Sequence, residues 1–267
     1  MAKEFTSYGA GMGLDSHFFL EVAKGDVDKH RVVHKFGATS ALGTSVTPVT
    51  SSGTYQTPTT ATALEIVSDD DTNDKAGQAG AITVRVYGIA AWADGEVTED
   101  VTLTGTTAAA LSTSFLRVYR MKVLTSGTYG SASGPSHNST ITLRTASAGA
   151  TWATIEPDNS FGLGQSEIGA YSIGSGKTAY IFNREVAIET TKKGTALFFA
   201  REDADDISAP FSAMRVIEVF RNLIDEVFVN DKTPLVITGP ADFGYMGYVS
   251  TGTGSMEVDF EFIVVDD

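Results

Sequence analysis

Apolar and polar residues alternate with a period of two along much of this chain, and no segment sustains the 3.6-residue period of an amphipathic helix. In Ala81–Gly105, Ile82, Val84 and Val86 alternate with Thr83, Arg85 and Tyr87; beyond a polar turn at Ala93-Asp94-Gly95-Glu96 come Val97, Val101 and Leu103. This pattern predicts a hairpin with one buried face. Near the C-terminus, Val258, Phe260 and Phe262 alternate with Glu257, Asp259 and Glu261, as in a half-buried strand whose acidic face would guard a sheet edge if the strand were terminal. Further short strands are expected at Arg31–Phe36, Ala63–Val67, Val118–Val123, Ile141–Leu143, Thr151–Ile155, Ala170–Ser172, Thr178–Phe182, Val186–Glu189 and Thr195–Ala200. Met214–Val219, Val227–Val229 and Leu235–Thr238 complete the series. Phe211–Asn222 has apolar spacing that a helix would accept, but Val216, Val219 and Phe220 in an all-β setting favour strand.

Many short strands separated by turns predict an all-β protein of antiparallel β-sandwich or jelly-roll-like units. Residues 1–25 read as an extended N-terminal arm: Gly9, Gly11 and Gly13 interrupt its start, and Phe18, Phe19 and Leu20 with Val22 form its one compact apolar group. That group is expected to dock on a neighbour, with packing on the chain's own core as the alternative. Gly37–Thr62 is dominated by Thr, Ser, Gly, Ala and Pro and reads as extended surface chain, or as a loop ordered by contact with a partner. Thr125–Asn138 reads as a Gly/Ser-rich turn, and Glu156–Gly169 as a boundary, so residues 26–160 and 161–267 are assigned to two successive β-sandwich units.

At 267 residues the chain can bury a sizeable core without cross-links, and with no cysteine it has neither disulfides nor thiolate metal sites. Thirty-three acidic against 19 basic side chains give a formal charge of −14, which opposes contact with nucleic acid or an anionic membrane surface. The first residues lack a basic start followed by an apolar run, and no segment approaches the roughly 20 apolar residues that span a bilayer. Synthesis as a soluble cytoplasmic protein is expected.

The motifs that could carry chemistry fail on spacing. Asp69, Asp71 and Asn73 start like a calcium loop, but Asp74 stands where that loop needs Gly and Gly80 where it needs a bidentate Glu. His30 and His34 would share a metal on a helix, yet on a strand they lie about 13 Å apart. His17 and His137 have no acidic or thiol partner near in sequence. Gly162-Leu163-Gly164-Gln165-Ser166 departs from the G-x-S-x-G elbow, and Ile173–Thr178 (IGSGKT) departs from phosphate-loop spacing and leads into a strand. The many carboxylates leave a facing hydrolase pair open, though most occupy turns or outward strand positions. No catalytic, cofactor-binding or metal-binding residue is assigned. Trp92 and Trp152 are expected in the core. In Phe243-Gly244-Tyr245-Met246-Gly247-Tyr248 the glycines leave the rings poorly supported by their own strand, so Phe243, Tyr245 and Tyr248 are assigned with Phe18, Phe19 and Leu20 to an interface.

The hairpin at Ala81–Gly105, together with FLRVYRMKV at Phe115–Val123, TITLR at Thr140–Arg144 and IGSGKTAYI at Ile173–Ile181, resembles a family of tailed-bacteriophage virion structural proteins. The resemblance covers roughly Ser68 to Ile181 and consists of framework strands. It implies a non-enzymatic virion component. Size, arm and absence of a chemical motif lead to a capsid decoration or cement protein, assembled in the host cytoplasm as a homo-oligomer, expected as a trimer, on the major capsid protein or other virion proteins. A tail or fibre-associated protein and a carbohydrate-binding jelly-roll protein are the alternatives.

Overall fold

A computed structural model of the chain describes residues 14–128, 136–158 and 161–267. Helix α1 (Leu14–Ala23) is followed by β1 (His30–Leu42), β2 (Thr47–Pro48), β3 (Leu64–Ser68), β4 (Ala81–Ile89) and β5 (Val97–Thr102). Next come β6 (Ala109–Ala110), β7 (Arg117–Ser126), β8 (Ile141–Thr145), β9 (Thr151–Ile155), β10 (Pro157–Asp158) and β11 (Phe161–Gly162). The chain ends with β12 (Ala170–Ile173), β13 (Lys177–Ile188), β14 (Gly194–Glu202), β15 (Arg215–Leu223), β16 (Val227–Thr238), β17 (Ala241–Val249) and β18 (Gly254–Asp266). Every ladder among them is antiparallel.

Eight of these strands form one double sheet. One sheet has the order β1-β18-β13-β16 and the other β12-β17-β14-β15, with β2 added along β17. Counted in chain order, the eight pair first with eighth, second with seventh, third with sixth and fourth with fifth, which is the connectivity of a long antiparallel ribbon coiled into a jelly roll. Inward residues of the two sheets meet in a core of Val258, Phe260, Phe262, Ile181, Val186, Tyr171, Phe198, Phe243 and Tyr245. Its rings pack mostly edge-on, Phe198 to Tyr245 at 4.8 Å and Phe243 to Phe262 at 5.3 Å between centroids.

The rest of the β structure lies between the first and second strands of that jelly roll. The sheet β5-β4-β7 faces β6-β3-β8-β9 across a second core of Val84, Val86, Val101, Phe115, Met121, Ile66, Leu143 and Trp152. Ile168, Ala170 and Phe199 also belong to this second core. Ala170 and Phe199 alternate along their strands with Tyr171 and Phe198, so the jelly-roll sheet that contains β12 and β14 buries both faces.

This arrangement corrects the division into residues 26–160 and 161–267. Residues 30–50 belong to the jelly roll, because β1 pairs with β18 from His30↔Val265 to Thr39↔Met256, and Val49 and Thr50 are buried. Gly37–Thr62 is therefore shaped in part by this chain's own sheets. At the crossing of β1 and the start of β12 the backbones touch: a Cβ on Gly37 would sit 2.0 Å from the Gly169 nitrogen, so only glycine fits. The C-terminal strand is central, flanked by β1 and β13, and its acidic face guards no edge. The predicted hairpin is present with Val84 opposite Val101, and the strand expected within Phe211–Asn222 is β15. Gly174–Gly176 forms the turn before β13, with Gly176 at φ +67°.

Candidate interaction surface

The side of the jelly roll formed by β15 and β16 is the largest departure from an ordinary soluble surface. Each strand is the edge of its sheet among the described residues, β15 paired with β14 and β16 with β13. Ile207, Phe211 and Met214 on the approach to β15, Val216, Ile217 and Val219 along it, Ile224 at the turn, and Phe228 and Val236 on β16 are between 38% and 63% exposed.

Two polar clamps tie these two edges together. Arg184 of β13, buried between the sheets, donates from Nε to Glu218 Oε2 of β15 at 2.7 Å and from Nη1 to Asp231 Oδ2 of β16 at 2.6 Å. At the other end Glu202 accepts from the Thr238 amide at 3.3 Å and pairs with Arg215. The loop before β15 is tied down by Arg201, which donates to the carbonyls of Asp206 and Ser212 at 3.0 and 3.2 Å. The exposed apolar side chains thus sit on a braced frame.

The six residues assigned to an interface from sequence do not come together. Phe243 and Tyr245 are fully buried in the jelly-roll core, which corrects their assignment: positions 243 and 245 share the inward face of β17, and the glycine between them admits neighbouring backbone instead of exposing the rings. Gly244, at φ +151°, would place a Cβ 2.3 Å from the Gly169 carbonyl oxygen. Tyr248 is half-buried near the end of β17. Phe18 and Phe19 lie on α1, where the Phe19 ring meets Phe182 of β13 edge-on at 4.9 Å and Phe18 meets His30 at 5.9 Å; Val22 is buried and Leu20 exposed. The part of the arm that is described therefore packs on its own sheet, the alternative left open by the sequence. The Gly9–Gly13 stretch, the centre of the Thr125–Asn138 turn and residues 159–160 of the Glu156–Gly169 boundary lie outside the described residues.

The junction of the two sandwiches holds the strongest polar network. Arg117 of β7 makes a bidentate pair with Asp242 of β17, both contacts 2.8 Å, donates to the carbonyls of Pro58 and Leu116, and stacks its guanidinium 4.8 Å from the Trp92 ring centroid. Asp242 also accepts from Ser172 Oγ at 2.5 Å, and Ser172 bonds the Tyr55 hydroxyl at 2.6 Å. Burial, with the Asp242 charge, pushes the Tyr55 hydroxyl far above its usual range. Ser172 and Asp242 are both buried, and their contact fastens β12 to β17 at this junction. Beside it opens a cleft of about 230 Å³, where Arg31 reaches the Tyr171 hydroxyl at 2.8 Å and Glu96 at 3.1 Å, and Glu96 accepts from Tyr119 at 2.7 Å. These groups satisfy one another.

The acidic loop Ser68–Gly80 is not uniformly solvated. Asp74 is buried and accepts from Ser68 Oγ and from the amides of Ala81, Asn138 and Ser139 between 2.9 and 3.1 Å, which pins the loop to β4 and to the segment around His137. His137 is buried too; its Nδ1 lies 2.8 Å from the Ser139 carbonyl and its Nε2 has no partner, and burial holds its pKa below the usual value. The Ser166 hydroxyl is spent on β7, accepting from the Met121 amide at 2.8 Å. Among the described residues no three His, Asp or Glu side chains converge on a metal-sized site, and no helix is long and apolar enough to cross a membrane.

No protein-family model and no curated protein matches the chain. Among solved structures, an Arthrobacter globiformis isomalto-dextranase complexed with panose aligns at 14% identity and TM-score 0.22, over 80% of this chain and 34% of that one. The chain thus spans about a third of that enzyme's length. The structure of infectious bursal disease virus Gx strain aligns at 10% identity and TM-score 0.25, over 90% and 73% of the two chains. T=1 particles derived from that virus give 10% identity and TM-score 0.21, over 90% and 74%. Likenesses this weak assign neither family nor function.

Proposed function

We propose that this chain is a non-enzymatic structural protein of a tailed-phage particle, a capsid decoration or cement protein that works by surface contact with the major capsid protein, other virion proteins and copies of itself. Jelly rolls build capsid, lectin and cupin domains alike, so topology does not choose among them. The exposed apolar edge at β15 and β16 carries the reading. Nine large apolar side chains exposed along this edge, on the outer faces of both sheets, exceed the isolated exposed hydrophobics of an ordinary surface and mark protein–protein contact. A lectin or glycosidase would be expected to place its aromatic rings and carboxylates in an open cleft; here the rings of the FGYMGY run are mostly inside the core, and Glu96 is engaged by Arg31 and Tyr119. The sequence resemblance to virion proteins points the same way.

Quantitative peptide mass spectrometry of purified particles tests this reading. A decoration role predicts a fixed high copy number per head, and particles lacking the chain should form closed heads that release their contents at lower temperature. Absence from the particle, or a copy number confined to a single tail ring, would overturn it.

A further inference from the structure

The geometry points to an oxyanion-binding site in the cleft at the junction of the two sandwiches, where the guanidinium groups of Arg31 and Arg120 hold a single carboxylate or phosphate group; the inference goes beyond the virion reading and does not depend on it.

The cleft, about 230 Å³, lies between Arg31 and His34 of β1 and Tyr119 and Arg120 of β7, with Glu96 and Gln165 also on its wall. Its cations are unequally provided for. Arg31 is engaged by Glu96 and by the Tyr171 hydroxyl. Arg120 is half-buried, and among the described residues its guanidinium donates to one acceptor, the His34 carbonyl, which leaves most of its planar N–H fork unused. Lys35, flanked on β1 by the wall residues His34 and Phe36, is fully buried, and its ammonium donates to one acceptor, the Tyr119 carbonyl at 2.5 Å. Burial and then the Arg120 charge push the Lys35 pKa well below the ordinary lysine value. Buried polar groups are ordinarily supplied with partners, so two neighbouring cations with one acceptor each leave this cleft with donors to spare.

The local charge agrees. Arg31, Lys35 and Arg120 stand against the one carboxylate of Glu96, an excess of one positive charge with Lys35 neutral and of two with it protonated. The bordering groups cancel, Arg85 and Lys122 against Asp100 and Asp259. On a chain of formal charge −14, such a site attracts a small anion that the protein as a whole repels. The adjoining cleft shares Arg31 and Glu96 but has no such surplus: its Lys177 pairs with Asp266 at 2.5 Å, and its Lys29 donates to the Asp267 carbonyl at 3.2 Å.

Size and geometry select the occupant. The cleft is smaller than the roughly 300–1,000 Å³ of drug-sized sites, which suits a small ion or one acidic side chain. A guanidinium fork matches the paired oxygens of a carboxylate or phosphate, and Glu96, covered by Arg31 and Tyr119, steadies the Arg31 fork. A long polyanion is opposed by the net charge.

The test follows the arginine Nε–Hε resonances of the full-length chain by NMR during titration, at constant ionic strength, with inorganic phosphate, succinate and a blocked tripeptide carrying a central glutamate. At least one probe should shift the Arg31 and Arg120 signals saturably, with one site per chain. Arg120→Ala should weaken that binding by about tenfold or more, the loss of a charge-assisted contact. Lys177→Ala, in the adjoining cleft, should bind like the wild type. A response to phosphate or succinate but not to the peptide assigns a free ion, and a response to the peptide assigns an acidic side chain of a partner protein; either upholds the site. Arg120 signals that ignore all three probes, equal binding by Arg120→Ala, or an equal loss in Lys177→Ala would overturn it. The wild-type resonances decide the matter if Arg120→Ala fails to fold, and copy number in particles is untouched by any of these results.

Discussion

Arg117 and Asp242 are both almost wholly inside the protein, one from each sandwich, and their two 2.8 Å contacts hold the units in one orientation. Removing one partner strands a buried charge, so Asp242→Ala should cost about 3–5 kcal/mol in urea unfolding, whereas Arg117→Met combined with Asp242→Leu should cost less than the single change. His137 gives a pH prediction. Its folded pKa lies below the ordinary value of about 6.5, so the unfolded chain takes up a proton first, and its effect on stability is a loss as pH falls through that value. Denaturant melts between pH 7.5 and 5.5 should show a steeper loss in the wild type than in His137→Asn; parallel curves would remove His137 from the account. Carboxylates such as Glu65 and Glu99, held low by backbone and hydroxyl donors, act in a different window: their stabilisation is present above the ordinary carboxylate range and lost below it. Little of this was legible in the sequence. Asp74 and Asp242 look like surface acids because a one-dimensional pattern shows alternation but not which distant donors will converge on an inward carboxylate.

Strands with local partners were the legible elements. The hairpin of β4 and β5 and the alternation of β18 could be read directly, because side chains on alternate sides of one strand need no knowledge of the partner. The partner of β18 could not be read: β1 lies more than two hundred residues away, and its pairing there moved residues 30–50 into the C-terminal unit. The aromatic run of β17 failed for a related reason, since intervening glycines serve close backbone approach as readily as they expose rings. At this scale Val101→Asp and Val258→Asp should each destabilise severely, because both side chains are buried in apolar cores. Glu257→Lys and Glu261→Lys should change the melting temperature little, being exposed on the outer face of β18. Equal sensitivity on both faces would mean that the outer face of this sheet is covered in the assembled protein.

The whole molecule is a jelly roll with a second sandwich inserted after its first strand, fastened by a buried ion pair and braced along one side by Arg184 and Glu202. An all-β architecture was legible from strand density and turn chemistry; the exposed apolar edge was not, because Val216, Ile217, Val219, Phe228 and Val236 read as ordinary strand residues until the sheets leave β15 and β16 at their edges. The most direct measurement is cryo-electron microscopy of intact particles at a resolution that traces strands. The account predicts the two-sandwich body on the head surface, in multiple copies, with the exposed apolar edge at β15 and β16 covered by a neighbouring virion protein; particles without this body, or copies whose β15–β16 edge faces solvent, would contradict it.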